Sequence, residues 1–380
     1  MAVSISLRFL GTSSAQPSAT RNTSSIALII DGTTWLFDTG EATQHQVMKT
    51  NIKWSKIDRI FITHMHGDHV FGLAPLLCTI HNKFDVGHEG IENTPPAEIY
   101  GPSGLRRYLR TIFSLTYSNL GRMYRVHELL FVKDPIDSLV TLSNTNEKLH
   151  QNELMGENLV IDEAKNQWIV FDDESCTVYA APIQHSIPCL GYVYHEKPLP
   201  GNIDINEVKP PLMRNREALG FKNPMELIKK LKNGETLELP DGTVLKPPPK
   251  KPGRKIVILG DTFDPTGIAH LAKGADLLVH ESTNALTSLD GKSANYEEIE
   301  QRSKSHGHST ANKAGAFAKR VEAKKLVLTH FSHRYKGGEI EEHVQIMEEI
   351  RQAAVRTFES DQVVCARDLM SIDIPIKNSE

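Results

Sequence analysis

Apolar and polar positions alternate at the start of the chain. Val3, Ile5, Leu7 and Phe9 fall at every second position, the pattern of a half-buried strand. Two further apolar runs, Ser25–Ile30 and Thr34–Asp38, flank Asp31-Gly32, a dipeptide that favours a tight hairpin turn. Arg59–Thr63 (RIFIT) reads as a short buried strand. The spacing then becomes helical: Val70, Leu73, Leu76, Leu77 and Ile80 predict a helix over Asp68–His81, and Gly104–Tyr117 predicts another. Thr177–Gln184, Lys255–Leu259, Asp276–Val279 and Lys325–Thr329 are compact apolar runs of the kind that form buried strands. Ala311–Val321 predicts a helix with Ser309 or Thr310 as its N-cap. Strands and helices interleaved in this way predict a layered α/β domain.

Two stretches break the pattern. Residues 133–167 are polar with weak periodicity and read as a surface insertion. Residues 209–255 hold 12 Lys or Arg against 5 Asp or Glu, a local excess of +7 in a chain of net charge −4. This basic stretch also holds Pro210-Pro211, Pro247–Pro249 and the turn signal Asp241-Gly242. A helix near Met225–Leu231 and a two-stranded tip are expected there. It is either a solvated basic loop or a phosphate-contacting arm.

Composition narrows the class. With 39% hydrophobic and 24% charged residues the chain is neither fibrous nor low-complexity nor wholly disordered. Its 380 residues suit one large domain or a domain with an appendage. No apolar run is long enough to span a membrane. Because the chain as a whole is slightly acidic, a nucleic-acid partner needs a local basic patch. Cys78, Cys176, Cys189 and Cys365 form no CxxC, which argues against a disulfide framework and for a reducing compartment. Residues 1–30 carry Arg8, Arg21, many hydroxyls and no acid, a faint likeness to an organellar transit peptide. The strand alternation there favours the first strand of the fold, and so a cytoplasmic or nuclear location.

The chemistry concentrates in Thr63-His64-Met65-His66-Gly67-Asp68-His69. Side chains two apart point the same way only in extended chain, so His64, His66 and Asp68 converge if this is a loop, with Gly67 supplying backbone freedom. Four donors in six residues exceed what one tetrahedral ion takes from one loop, and a pair of adjacent ions fits better. Three apolar strands end next to further donors: Thr177–Gln184 at His185, Lys255–Gly260 at Asp261, and Lys325–Thr329 at His330. In α/β folds such strand ends meet in one crevice.

HMHGDH resembles the signature of the metallo-β-lactamase superfamily. FLGTSSAQPSATRNTSS (9–25), WLFDTGEATQHQ (35–46), IFITHMHGDHVFGL (60–73), QHSIPCLGY (184–192), GDT (260–262), VHEST (279–283), HGHST (306–310) and VLTHFSHRY (327–335) together resemble short-form ribonuclease Z, the tRNA 3′-processing endonuclease. The resemblance implies an αββα sandwich over residues 1–380: two mixed sheets, helices outside, and a basic tRNA-binding arm inserted at 193–255. It implies two zinc ions, one held by His64, His66 and His185, the other by Asp68, His69 and His330, with Asp261 bridging. It gives Asp38 a supporting place beside the HxHxDH loop. It makes Asp68 a proton acceptor from the attacking water, and Glu281 with His308 the pair that protonates the leaving 3′ oxygen; helix-end packing is the plainer alternative for His308.

The substrate implied is precursor tRNA, and the assembly a homodimer. Family arms carry a Gly-Pro pair that this chain lacks between Gly191 and Lys255. Within the arm, Arg214, Arg216, Lys222, Lys229, Lys230 and Lys232 are the expected phosphate contacts. The competing functions are a phosphodiesterase or esterase of the same fold acting on small substrates, a redox relative with iron, and a non-catalytic RNA-binding scaffold.

Overall fold

Alternation along a strand sends successive side chains to opposite faces, and Thr33–Phe37 and Ile57–Phe61 show where each face goes. The computed structural model describes residues 3–80, 95–132, 134, 149–220, 223–291 and 293–377. Leu36 and Ile60 join an apolar cluster with Leu73, Leu76, Leu109 and Phe113 of two helices. Trp35, Phe37 and Phe61 turn the other way and meet Phe171, Tyr192 and Tyr194 of a second sheet, with ring centroids 5.4–5.9 Å apart. These edge-on pairs contribute about 0.5–1.5 kcal/mol each beyond their burial.

The first sheet runs in the order Ser371–Asp373, Ile5–Gly11, Ser25–Ile30, Thr33–Phe37, Ile57–Phe61, Ala97–Pro102, Tyr124–Leu130 and Glu153–Leu154, and Asn158–Val160 also pairs with Tyr124–Leu130. Its hairpin turns at Asp31-Gly32, where both residues have positive φ (47° and 83°) and Ile30 pairs with Thr33. The second sheet runs Val363–Cys365, Leu326–Thr329, Leu277–Glu281, Lys255–Leu259, Cys189–Glu196, Cys176–Ile183 and Trp168–Asp172. Its outer face packs Val257, Leu278, Leu326 and Leu328 against the helices Ala311–Arg320 and Glu341–Phe358. Thr310 caps the first of these, accepting the Lys313 N–H. The layers are therefore helix, sheet, sheet, helix.

Parallel pairing gathers the strand ends. Lys255–Leu259, Leu277–Glu281 and Leu326–Thr329 lie parallel and adjacent, as do Thr33–Phe37 and Ile57–Phe61 in the other sheet. The residues that follow them, Asp261, His330, Asp38 and His64, thus leave from carboxyl ends of strands.

The helix expected over Asp68–His81 is two helices, Gly67–Val70 and Leu73–Ile80. Between them the Gly72 N–H donates to Thr39 O at 2.8 Å, and a Cβ on Gly72 would lie 2.0 Å from Gly40 O. Periodicity alone carries no trace of that backbone contact. Within the stretch 133–167, Glu153–Leu154 and Asn158–Val160 are short strands beside Tyr124–Leu130, while 133 and 135–148 lie outside the described residues. No helix among the described residues is long and apolar enough to cross a membrane.

The described residues divide into two compact units: those within Met1–Asp173, Thr177–Tyr194 and Lys255–Pro375, and those within Glu174–Cys176, His195–Arg254 and Ile376–Glu380. The second has its own apolar centre of Val208, Leu212, Leu227, Ile228, Leu231, Leu237 and Leu239. Its helix Ile205–Arg214 runs straight through Pro210-Pro211, residues that ordinarily end a helix. The carbonyls that lose their i+4 donors belong to Asn206 and Glu207, both exposed residues. The expected helix near Met225–Leu231 is a 3₁₀ turn, Pro224–Leu227, followed by Ile228–Lys232. The two-stranded tip is Leu237–Glu238 against Val244–Leu245.

Candidate metal centre

The strand Ile57–Phe61 is followed by a loop that ends in extended backbone at His66 (φ −66°, ψ 149°), and His64 and His66 aim at one point. His64 Nε2 lies 3.1 Å from His66 Nδ1, which in turn lies 3.1 Å from His185 Nε2. Asp261 Oδ2 completes this group, 3.7 Å from His64 Nε2 and 4.0 Å from His185 Nε2. A second group adjoins it. His69 Nε2 and His330 Nε2 are 3.2 Å apart, and each lies 3.3 Å from an oxygen of Asp261. Asp68 Oδ2 lies 3.3 Å from His330 Nε2 and 3.6 Å from His69 Nε2. In each group all donor atoms lie within 4.8 Å of one another, and Asp261 belongs to both.

The outward nitrogens explain which atoms face inward. His69 Nδ1 is bonded to Asp38 Oδ2 at 2.7 Å, His185 Nδ1 to Gly307 O at 2.8 Å, His64 Nδ1 to Thr63 Oγ1 at 3.0 Å, and His330 Nδ1 to Thr283 Oγ1 at 3.1 Å. Each ring thereby keeps its proton outside and turns a lone pair inward. Converging lone pairs repel unless a cation sits among them. Nitrogens on a tetrahedral zinc at its usual bond length are about 3.3 Å apart, close to the spacing found here. The donor set fits zinc.

Asp38 supports this arrangement from behind. Its Oδ1 accepts the Thr63 N–H at 2.7 Å, and its Oδ2 accepts the Thr63 hydroxyl at 2.8 Å as well as His69. Asp38 and His330 both hold the left-handed backbone conformation, at φ 58° and 57°. Non-glycine residues seldom adopt it, and such strain concentrates at working sites. The Ala15 N–H donates to Asp68 Oδ2 at 2.7 Å. Gly67 differs from expectation: it opens a helical turn without a left-handed φ, and a Cβ there would lie 2.1 Å from the Phe71 ring. It supplies room, not freedom.

Burial and charge set the protonation. Burial drives His64, His66 and His185 below the usual imidazole range, keeping them neutral. Burial opposes charge on His69 too, but Asp261, Asp38 and Asp68 outweigh it and raise its pKa well above the usual value, so a metal ion bound at Nε2 takes the place of a proton there. Asp261 and Asp68 are held far below the ordinary carboxylate range despite burial, Asp261 by His330 and His69, Asp68 by His69 and His330.

Beside the shared Asp261, His308 Nδ1 lies 3.1 Å from Glu281 Oε1. Glu281 is buried and also accepts the Thr262 N–H at 2.7 Å. All of these side chains belong to the first unit. The residues expected to contact phosphate belong to the second, where Arg214, Arg216, Lys229, Lys230 and Lys232 are exposed and Lys222 lies outside the described residues. Arg214 is already engaged, donating to Asp241 at 2.9 Å and Thr243 at 3.2 Å. Sequence reasoning passes over Thr63 and Thr283, although each stands beside an assigned donor in THMHGDH or HEST.

Two mixed sheets between helices, with histidines and aspartates gathered where strands end, define a metallo-β-lactamase-fold hydrolase. The chain is 38% identical to zinc phosphodiesterase ELAC protein 1 of Homo sapiens, across 99% of this chain and 100% of that one. It is 32% identical to a ribonuclease Z of Leuconostoc mesenteroides, across 98% and 97%. The structure resembles human tRNase Z, short form, with a TM-score of 0.62 at 33% identity, covering 98% and 100% of the two chains. Residues 5–98 match the family model of the anti-Pycsar protein Apyc1. The chain belongs to the ribonuclease Z family.

Proposed function

We propose that this member of the ribonuclease Z family cleaves precursor tRNA just 3′ of the acceptor stem, releasing the 3′ trailer and leaving a 3′-hydroxyl on the tRNA. The observation that carries the reading is Asp261, shared by two donor groups and 3.8 Å from His308 Nδ1. His64, His66, His185 and Asp261 would hold one zinc, and Asp68, His69, His330 and Asp261 a second. Zinc in such sites makes water acidic enough to ionise near pH ~7 and withdraws charge from phosphate oxygens.

The chain's own groups do the rest. Asp68, ionised and anchored by Ala15 N–H, accepts a proton from the attacking water. His308, held by Glu281, carries the proton that the departing 3′ oxygen needs; its pKa is raised to about 9, burial opposing and Glu281 prevailing. Asp38 fixes His69 and the loop that bears the other donors. The exposed cations of the second unit bind the tRNA backbone, a homodimer lets one chain's arm serve its partner's site, and four cysteines outside any disulfide suit a cytoplasmic or nuclear location.

The test is cleavage of a precursor tRNA bearing a 3′ trailer, with both product ends mapped, a chelator control and zinc counted per chain. Cleavage elsewhere than the trailer junction, or turnover of small phosphodiesters alone, defeats the reading.

A further inference from the structure

Thr283 is buried in the site but takes no part in the proton transfers assigned to Asp68 and His308. Its Oγ1 touches three groups: Glu281 Oε2 at 2.5 Å, His330 Nδ1 at 3.1 Å and the His330 carbonyl oxygen at 3.2 Å. A hydroxyl has one proton to give. The carboxylate oxygen, charged and nearest, takes it. Toward His330 Nδ1 the Thr283 oxygen is then an acceptor. His330 must carry its proton on Nδ1, which leaves Nε2 as a lone pair facing Asp68, His69 and Asp261.

The other oxygen of the same carboxylate, Oε1, lies 3.1 Å from His308 Nδ1. An unbroken chain therefore runs from His330 through Thr283 and Glu281 to His308. Its backbone is pinned on both sides, since the Ser282 N–H donates to Thr329 O at 2.8 Å and the Ser332 N–H to Thr283 O at 3.1 Å.

We propose that Thr283 is a positioning residue joining the two halves of the site: its hydroxyl sets which His330 nitrogen is free to bind metal, and it fixes the rotation of Glu281 so that Oε1 stays aimed at His308. The second half rests on the reading of His308 as the acid.

The test compares Thr283→Val, which removes the hydroxyl at nearly constant volume, with Thr283→Ser, which keeps it; Thr283→Ala is a second hydroxyl-free variant should the valine protein not fold. Zinc retention against a competing chelator reads the His330 end without any turnover. The ratio of turnover on precursor tRNA to that on bis(p-nitrophenyl) phosphate, whose leaving group departs without a proton, reads the His308 end. The hydroxyl-free variants should lower zinc affinity and the ratio, each on the order of 10-fold, with KM for precursor tRNA unchanged, and serine should restore both. Movement of only one readout, or serine behaving like valine, overturns the coupling. A ratio that falls in His308→Ala but not in Thr283→Val overturns the coupling alone; a ratio unchanged in His308→Ala overturns the acid assignment, and the coupling with it.

Discussion

His308 Nδ1 stands 3.1 Å from Glu281 Oε1 and 3.8 Å from Asp261 Oδ2. One imidazole thus faces both the carboxylate that orients it and the carboxylate common to the two donor groups. Burial works against a charge on His308, but Glu281, and after it Asp261, outweigh it and raise its pKa to about 9.

Removing that partner should release the proton. In chelated protein, Glu281→Gln should bring the His308 pKa from about 9 down toward the ordinary 6.5, read by NMR titration of its ring. The sign for stability follows from the folded-state value lying above the unfolded one. The stabilisation is complete below 6.5 and is lost as pH rises through about 9. The gap in melting temperature between wild type and Glu281→Gln should therefore be widest near about pH 6 and narrow markedly by about pH 10. A gap constant across that range contradicts the pairing.

Asp38 offers a separate test of the metal centre. Its two oxygens serve the Thr63 N–H, the Thr63 hydroxyl and His69 Nδ1. Asp38→Ala should cost about 10- to 100-fold in zinc affinity, measured by competition with a chelator. Asp38→Asn should lose less, because asparagine tolerates the left-handed backbone at φ 58° and keeps one acceptor. Equal zinc affinity in all three proteins would remove Asp38 from the design of the site.

Much of this arrangement is legible in the sequence because its signals are local. HxHxDH sits where a strand must end, and His185, Asp261 and His330 each follow an apolar run that can only be a buried strand. The hairpin at Asp31-Gly32 is legible for the same reason, since its turn chemistry lies in two adjacent residues. What escapes depends on neighbours distant in sequence. Gly72 reads as an ordinary helix residue until its approach to Thr39 and Gly40 is seen. The helix Ile205–Arg214 contains two prolines that argue against it locally, while Val208 and Leu212 gain burial in the second unit's own centre. Thr283 is visible in HEST as a letter, but its role comes from two neighbours, one of them 47 positions away.

The close approach at Gly72 is itself testable. A Cβ there would lie 2.0 Å from a backbone oxygen, Gly40 O, which no rotamer change can relieve. The two segments are also tied by Thr39 N–H to His69 O at 2.7 Å and Gly72 N–H to Thr39 O at 2.8 Å. Gly72→Ala should destabilise the fold by about 1–3 kcal/mol, seen as a lowered denaturation midpoint. Because His69 shares these bonds, zinc affinity should fall with it. An alanine protein as stable as wild type would show that the segments can separate freely.

The exposed basic residues of the second unit make the last prediction. Lys229, Lys230 and Lys232 are exposed and within four positions of one another, in or beside a single short helix, whereas Arg214 is held by Asp241 and Thr243. An arginine already bonded must give up those partners to meet a phosphate, so its net contribution is smaller. Replacing the three lysines together should weaken precursor tRNA binding and reduce the salt dependence of the logarithmic affinity by about 2–3, roughly one for each phosphate no longer neutralised. Arg214→Ala should change that slope by less than one lysine does. Hydrolysis of bis(p-nitrophenyl) phosphate, which has no chain of backbone phosphates for the lysines to bind, should keep its rate in every variant. Binding measured across a salt series separates this from a folding defect, because a partly unfolded protein loses affinity without losing slope. A triple-lysine variant with the wild-type slope would move the tRNA-binding face to some other surface.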